Sequence, residues 1–121
     1  MSNVQALTDF FAAWTTEDAD GRGALVASAI GDGFSYMDPR TEQPITDAGA
    51  MSDYLAMFLQ NCPPGAAVDV LEPVDLRGNT ARLTIDFVMG PEMKQTGQYF
   101  ADLDDAGKII RLVGFVGKGA E

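Results

Sequence analysis

The chain has 121 residues, a formal charge of −10 from 18 acids against 8 bases, and a hydrophobic share of 46%. That length suits one domain spanning residues 1–121, since two halves would each be too small to keep a core, and the composition is that of a globular chain. So acidic a surface repels phosphate backbones and anionic lipid, which argues against nucleic-acid and membrane partners and leans toward a neutral ligand.

Val4, Leu7, Phe10, Phe11 and Trp14 recur at the spacing of one helix face and predict a first helix over about 3–16. The polar run from Thr16 to Gly21 breaks it. Asp18 or Asp20 then caps a short second helix that Gly31 closes. Phe34 to Asp38 reads as a strand, with Asp38 at its end and a turn-forming run from Pro39 to Pro44 after it. A third helix starts near Thr46 or Asp47 and shows an apolar face of Met51, Tyr54, Leu55, Phe58, Leu59 and Cys62. Pro63-Pro64-Gly65 ends it.

From Ala66 the period changes to two. Val68 and Val70 alternate with Asp69, and Pro73 marks an edge strand or a bulge. Arg77-Gly78-Asn79 turns into Ala81, Leu83, Ile85, Phe87 and Met89, with Arg82, Thr84 and Asp86 on the other face. Asp86 is expected to be solvated or paired with Arg82 or Arg111. Gly90-Pro91-Glu92 turns again into residues 93–103, and the run from Asp104 to Lys108 feeds a last strand, Ile109 to Val116. Helices first and antiparallel strands afterwards define an α+β domain.

The chain has no histidine and one cysteine, Cys62, so Ser–His and Cys–His nucleophiles and an intramolecular disulfide are excluded, and neither a zinc site nor a cofactor is expected. The segment starting at Gly21 lacks the third glycine of a dinucleotide fingerprint. Gly117-Lys118 lacks the rest of a phosphate-binding loop, and Asp102 to Gly107 reads as a hairpin turn, not a calcium loop. The first residues carry no basic and apolar leader and no run is long enough to span a bilayer, so a cytoplasmic protein is expected. Acid–base chemistry then falls to a carboxylate, a tyrosine or a lysine, and Asp38, at a strand end beside apolar residues, is the candidate.

Phe10-Phe11-Ala12-Ala13-Trp14, Phe34-Ser35-Tyr36-Met37-Asp38-Pro39, Ile45-Thr46-Asp47 and the hairpin from Asp104 to Ile110 together resemble the SnoaL-like branch of the nuclear-transport-factor-2-like superfamily, which includes ketosteroid isomerases and polyketide cyclases. The resemblance covers nearly the whole chain. It implies a cone: a strongly curved, mostly antiparallel sheet wrapped around three helices of the N-terminal half, with an apolar pocket at the open end. It also implies Asp38-Pro39 as the general-base pair and a homodimer packed through the face of Arg82, Thr84, Asp86 and Val88. The helix-one tyrosine that donates to an enolate in ketosteroid isomerases stands here as Phe10. The second aspartate falls near Gln98 or Tyr99, only one of which can face the pocket.

The candidate catalytic residues are therefore Asp38 and Tyr99, and the candidate walls for a small apolar ligand are Trp14, Tyr36, Tyr54, Phe58 and Phe115. Two functions are compatible with them. One is a cofactor-free isomerase, cyclase or dehydratase acting on a neutral apolar carbonyl compound. The other is a non-catalytic ligand-binding or dimerisation module of the same fold.

Overall fold

In the computed structural model, which describes residues 5–60, 66–90 and 93–116, three helices pack on a five-stranded sheet whose short first strand lies between the second and third helices. Helix α1 runs Gln5–Ala12 and tightens into a 3₁₀ turn over Ala13–Thr15, α2 runs Ala19–Ala29, and α3 runs Ala48–Gln60. Asp18 caps α2 by accepting from the Gly21 amide at 2.7 Å, and Asp47 caps α3 by accepting from the Ala50 amide at 2.7 Å. The expected stop at Pro63-Pro64-Gly65, Cys62 and the turn at Pro91-Glu92 lie outside the described residues.

The strands are β1 (Tyr36–Met37), β2 (Ala67–Arg77), β3 (Thr80–Gly90), β4 (Met93–Leu103) and β5 (Ile109–Val116), ordered β1-β5-β4-β3-β2. All neighbours are antiparallel except β1, which pairs parallel with β5 through Tyr36–Leu112 and Met37–Val113. Register shifts between Leu71 and Asp75 in β2, and between Val88 and Gly90 in β3, add the twist and bend that let a sheet curl over helices. The first shift brackets Pro73 on the edge strand, where a missing amide costs the ladder least. Gly78 and Gly107 supply positive φ angles of 59° and 83° at the β2–β3 and β4–β5 hairpin turns.

The concave face carries Ala81, Leu83, Ile85, Tyr99, Ala101 and Leu112, all buried against Leu7, Phe10, Phe11 and Trp14 of the first helical segment and Met51, Leu55 and Phe58 of α3. This is the α+β architecture expected from the order of elements, in the cone shape that the resemblance implies.

Two expectations need correction. The strand anticipated over 34–38 is only two residues long. Gly33 turns the chain just before it at a φ of 80°, and the Asp38 amide bonds to Thr41 Oγ1 instead of continuing the ladder. Asp86 pairs with neither arginine: it accepts from Thr96 Oγ1 at 2.8 Å and faces Lys94 Nζ at 3.8 Å. Arg82 and Arg111 turn instead to Asp75 and Asp102, the acids nearest them on the adjoining strands.

Candidate functional site

Asp38 leaves β1 and enters a tight turn that fixes its carboxylate. Oδ1 accepts from the backbone amides of Arg40 at 2.8 Å and Thr41 at 3.1 Å, a local loop that Asp builds readily after a strand. Oδ2 accepts from two tyrosine hydroxyls, Tyr36 and Tyr54, each at 2.6 Å. Two carboxylate oxygens offer about four acceptor sites. All of them meet donors here.

Tyr36 is fully buried on β1, and its Oη also lies 3.0 Å from Tyr99 Oη. Tyr36 has one proton, and at 2.6 Å from a carboxylate that proton goes to Asp38. Tyr99 therefore donates to Tyr36. The polarity runs from Tyr99 through Tyr36 to Asp38, with Tyr54 donating to the same oxygen from α3. The chain's three tyrosines all belong to this one network.

Each hydroxyl is held in its neutral form. Burial pushes Tyr36 well above the ordinary phenol range, and the Tyr99 ring and the Asp38 charge push further the same way. Burial is again the first cause for Tyr54, followed by its bond to Asp38 and the carboxylate charge, while Arg40 opposes them. Tyr99 is raised chiefly by burial as well, and by the Asp38 charge, with the hydrogen bond to Tyr36 and then Arg40 acting against it.

Beside the network lies a cavity of about 80 Å³ lined by Trp14, Asp38, Phe87, Thr96, Gly97 and Tyr99, with the exposed Pro39, Arg40 and Gln95 at its rim. Glycine shapes it twice. A Cβ on Gly114 would sit 2.5 Å from Tyr99 Cε2, so the Tyr99 ring lies directly on that backbone. A Cβ on Gly97 would meet the Phe115 carbonyl at 3.1 Å. An engineered apolar cavity of about 150 Å³ takes a benzene ring. This one admits a smaller group, or part of a larger molecule whose remainder stays outside the rim.

The structure separates the candidate residues by place. Asp38, Tyr99 and Trp14 line the cavity. Tyr36 and Tyr54 stand behind it, bound to Asp38. Phe58 packs edge-on to Trp14 at 4.9 Å as a supporting wall. Phe115 borders the cavity, but its ring does not belong there. Register pairs Phe115 with Gln98 on the convex face, where it is 54% exposed and meets Phe100 edge-on at 5.8 Å. A residue in phase with Val113 faces away from one in phase with Leu112.

Between Gln98 and Tyr99, Tyr99 faces inward, while Gln98 bonds to Thr84 on the outside. Phe10 is core, packed on Phe11, Phe34 and Tyr36. Phe87, Arg40 and Gln95 were not singled out from the sequence. Phe87 was legible from its phase with Leu83 and Ile85; the others depend on how the turn after Asp38 folds back.

Neither a family model nor a curated protein matches the chain. Solved structures do. A SnoaL-like family protein from Agrobacterium tumefaciens is 23% identical, with a TM-score of 0.82 over 96% of this chain and 97% of that one. A protein with a ketosteroid isomerase-like fold from Catenulispora acidiphila, in complex with trimethylamine, is 14% identical, with a TM-score of 0.68 over 91% of this chain and 83% of that one. A de novo designed protein of the nuclear-transport-factor-2 fold is 15% identical, with a TM-score of 0.69 over 97% of this chain and 88% of that one. The chain has the nuclear-transport-factor-2-like fold. At these identities the likeness concerns the fold and not the chemistry.

Proposed function

We propose that this protein binds a small, neutral, largely apolar carbonyl compound and acts on it as a cofactor-free isomerase, cyclase or dehydratase with Asp38 as general base. The observation that carries this reading is a carboxylate on the wall of an aromatic-lined cavity, tied to a chain of neutral tyrosines. A proton taken from the carbon next to a carbonyl passes to Asp38 Oδ2 as Tyr54 gives way, since the half-buried tyrosine on α3 is freer to move than buried Tyr36. Asp38 then returns the proton to another atom on the same face of the ligand. A small ligand is also found in the related fold from Catenulispora acidiphila, where it is trimethylamine.

A second reading is a non-catalytic binding module, and the saturation of Asp38 favours it. A carboxylate that already accepts four hydrogen bonds serves well as a clasp between β1, its turn and α3. For either reading we propose a cytoplasmic homodimer. The exposed pair Phe100 and Phe115 on the convex face supports the dimer, and sedimentation of native protein beside Phe115→Asp tests it.

The deciding experiment is exchange in heavy water. Small cyclic ketones and enones, then aromatic ketones and ketosteroids, are incubated with native protein and with Asp38→Asn. Exchange next to the carbonyl that disappears in the variant supports the base. Ligand-induced thermal shifts without exchange leave the binding module.

A further inference from the structure

Arg40 stands apart from the other cations of the chain. Arg82, Lys94 and Arg111 each face an acid, and Arg22, Arg77 and Lys108 donate to backbone carbonyls. The guanidinium of Arg40 has neither kind of partner among the described residues, although the chain carries 18 acids against 8 bases. It is exposed at the rim of the cavity, where its N–H donors are open to whatever enters. Its charge also acts against the rise of the Tyr54 and Tyr99 phenols, so its field reaches the network beside the cavity.

We propose that Arg40 anchors a carboxylate at the outer end of a ligand whose neutral, apolar carbonyl end enters the cavity. The inference rests on the ligand-binding reading above and adds a charge to the part of the ligand that the cavity does not enclose. At about 80 Å³ the cavity holds only a small group, so a larger molecule leaves its remainder at the rim beside Arg40. Charge then sets which end goes in. Asp38 on the cavity wall repels a carboxylate and Arg40 at the rim attracts it, so the carbonyl end is the one that meets Asp38. The planar fork of a guanidinium also matches the two oxygens of a carboxylate. The net charge of −10 disfavours an anion at long range, but that field is screened over about 8 Å at physiological salt, and a contact with Arg40 lies well inside that length.

The test compares 3-oxocyclopentanecarboxylate with 3-oxocyclopentanecarboxamide, which share a ring ketone and nearly a shape but differ in charge. Each is titrated into the native protein, Arg40→Gln and Arg40→Lys, with ring resonances of Phe87 and Tyr99 reporting occupancy of the cavity. Both variants keep the backbone amide that residue 40 gives to Asp38, and neither breaks a side-chain bond among the described residues, so both should fold as the native protein does.

The native protein is expected to bind the carboxylate about five-fold more tightly than the carboxamide at low salt, with the advantage shrinking as salt is raised. Arg40→Gln should erase that advantage, and Arg40→Lys should keep part of it, since the charge remains and the fork is lost. Carboxamide affinity should be alike in all three proteins. No carboxylate preference in the native protein, or one that survives in Arg40→Gln, overturns the anchor and leaves ligand binding standing. A carboxylate that binds through Arg40 without moving Phe87 or Tyr99 overturns it too, because the anion then sits on the surface and not on a cavity ligand. If neither compound moves those rings, the ligand-binding reading fails and the anchor with it.

Discussion

Tyr36 is the joint of the network, and its loss should reverse the sign of what a change at Tyr99 does. Tyr36→Phe keeps the ring in a fully buried site and removes only the hydroxyl. One bond to a carboxylate is lost, about 1.5–3 kcal/mol, and Tyr99, itself 3% exposed, loses the acceptor of its proton, at a further cost of about 1–3 kcal/mol. The variant should therefore lose about 2.5–6 kcal/mol, a large part of the stability of a domain of this size. Tyr99→Phe alone deletes a single neutral bond and should cost about 1 kcal/mol, since Tyr36 still donates to Asp38.

In the Tyr36→Phe background the same Tyr99→Phe change removes an orphaned hydroxyl instead of a bond. It should then restore about 1 kcal/mol or more. The four proteins of this cycle are compared by urea unfolding, followed through the fluorescence of Trp14, with the slope required to stay constant so that midpoints report stability. A Tyr99→Phe cost of the same size and sign in both backgrounds would refute the directed chain from Tyr99 through Tyr36 to Asp38.

Alkaline pH offers a second check. Folded-state phenol pKa values lie above the unfolded value of about 10, so between that value and the folded one the unfolded chain holds fewer protons. Stability is then fully present below about pH 10 and falls above it, by up to about 1.4 kcal/mol per pH unit for each tyrosine. Unfolding titrations from pH 9 to 11 should show that fall, Tyr99→Phe should reduce its slope by one proton, and phenolate absorbance appearing near pH 10 in the native protein would contradict the burial argument. Gly114→Ala places a methyl group within 2.5 Å of the Tyr99 ring, so it should destabilise by about 1–3 kcal/mol and abolish the coupling between Tyr99 and Tyr36. A thermal midpoint unchanged from the native protein would mean that the ring moves freely.

Much of this molecule was legible along the chain because the signals concerned are local. A helix shows its buried face at every third or fourth residue and a strand at every second, so Leu7, Phe10, Phe11, Leu83 and Ile85 could be assigned inward from spacing alone, whereas spacing left Gln98 and Tyr99 as alternatives. Asp18, Asp47, Gly78 and Gly107 act within a few residues of themselves, so caps and hairpin turns were readable for the same reason. Pro73 likewise marked an edge strand or a bulge, because proline withholds an amide wherever it stands, and β2 is an edge strand with a register shift there.

The site itself was decided elsewhere. Tyr36 and Tyr99 are 63 positions apart and meet only because β1 joins the far side of β5 in parallel, beside the strand that carries Tyr99. No local pattern encodes that pairing, nor the 2.6 Å contact between Tyr54 on α3 and Asp38. Phe115 shows the same limit from the other side. An aromatic residue near a strand end looks like a pocket wall in sequence, and only the register against Gln98 sends its ring outward. Period and turn chemistry determine which elements form and which faces are apolar. Which hydroxyl meets which carboxylate depends on strand order and register, and those are set by the packing of the whole chain.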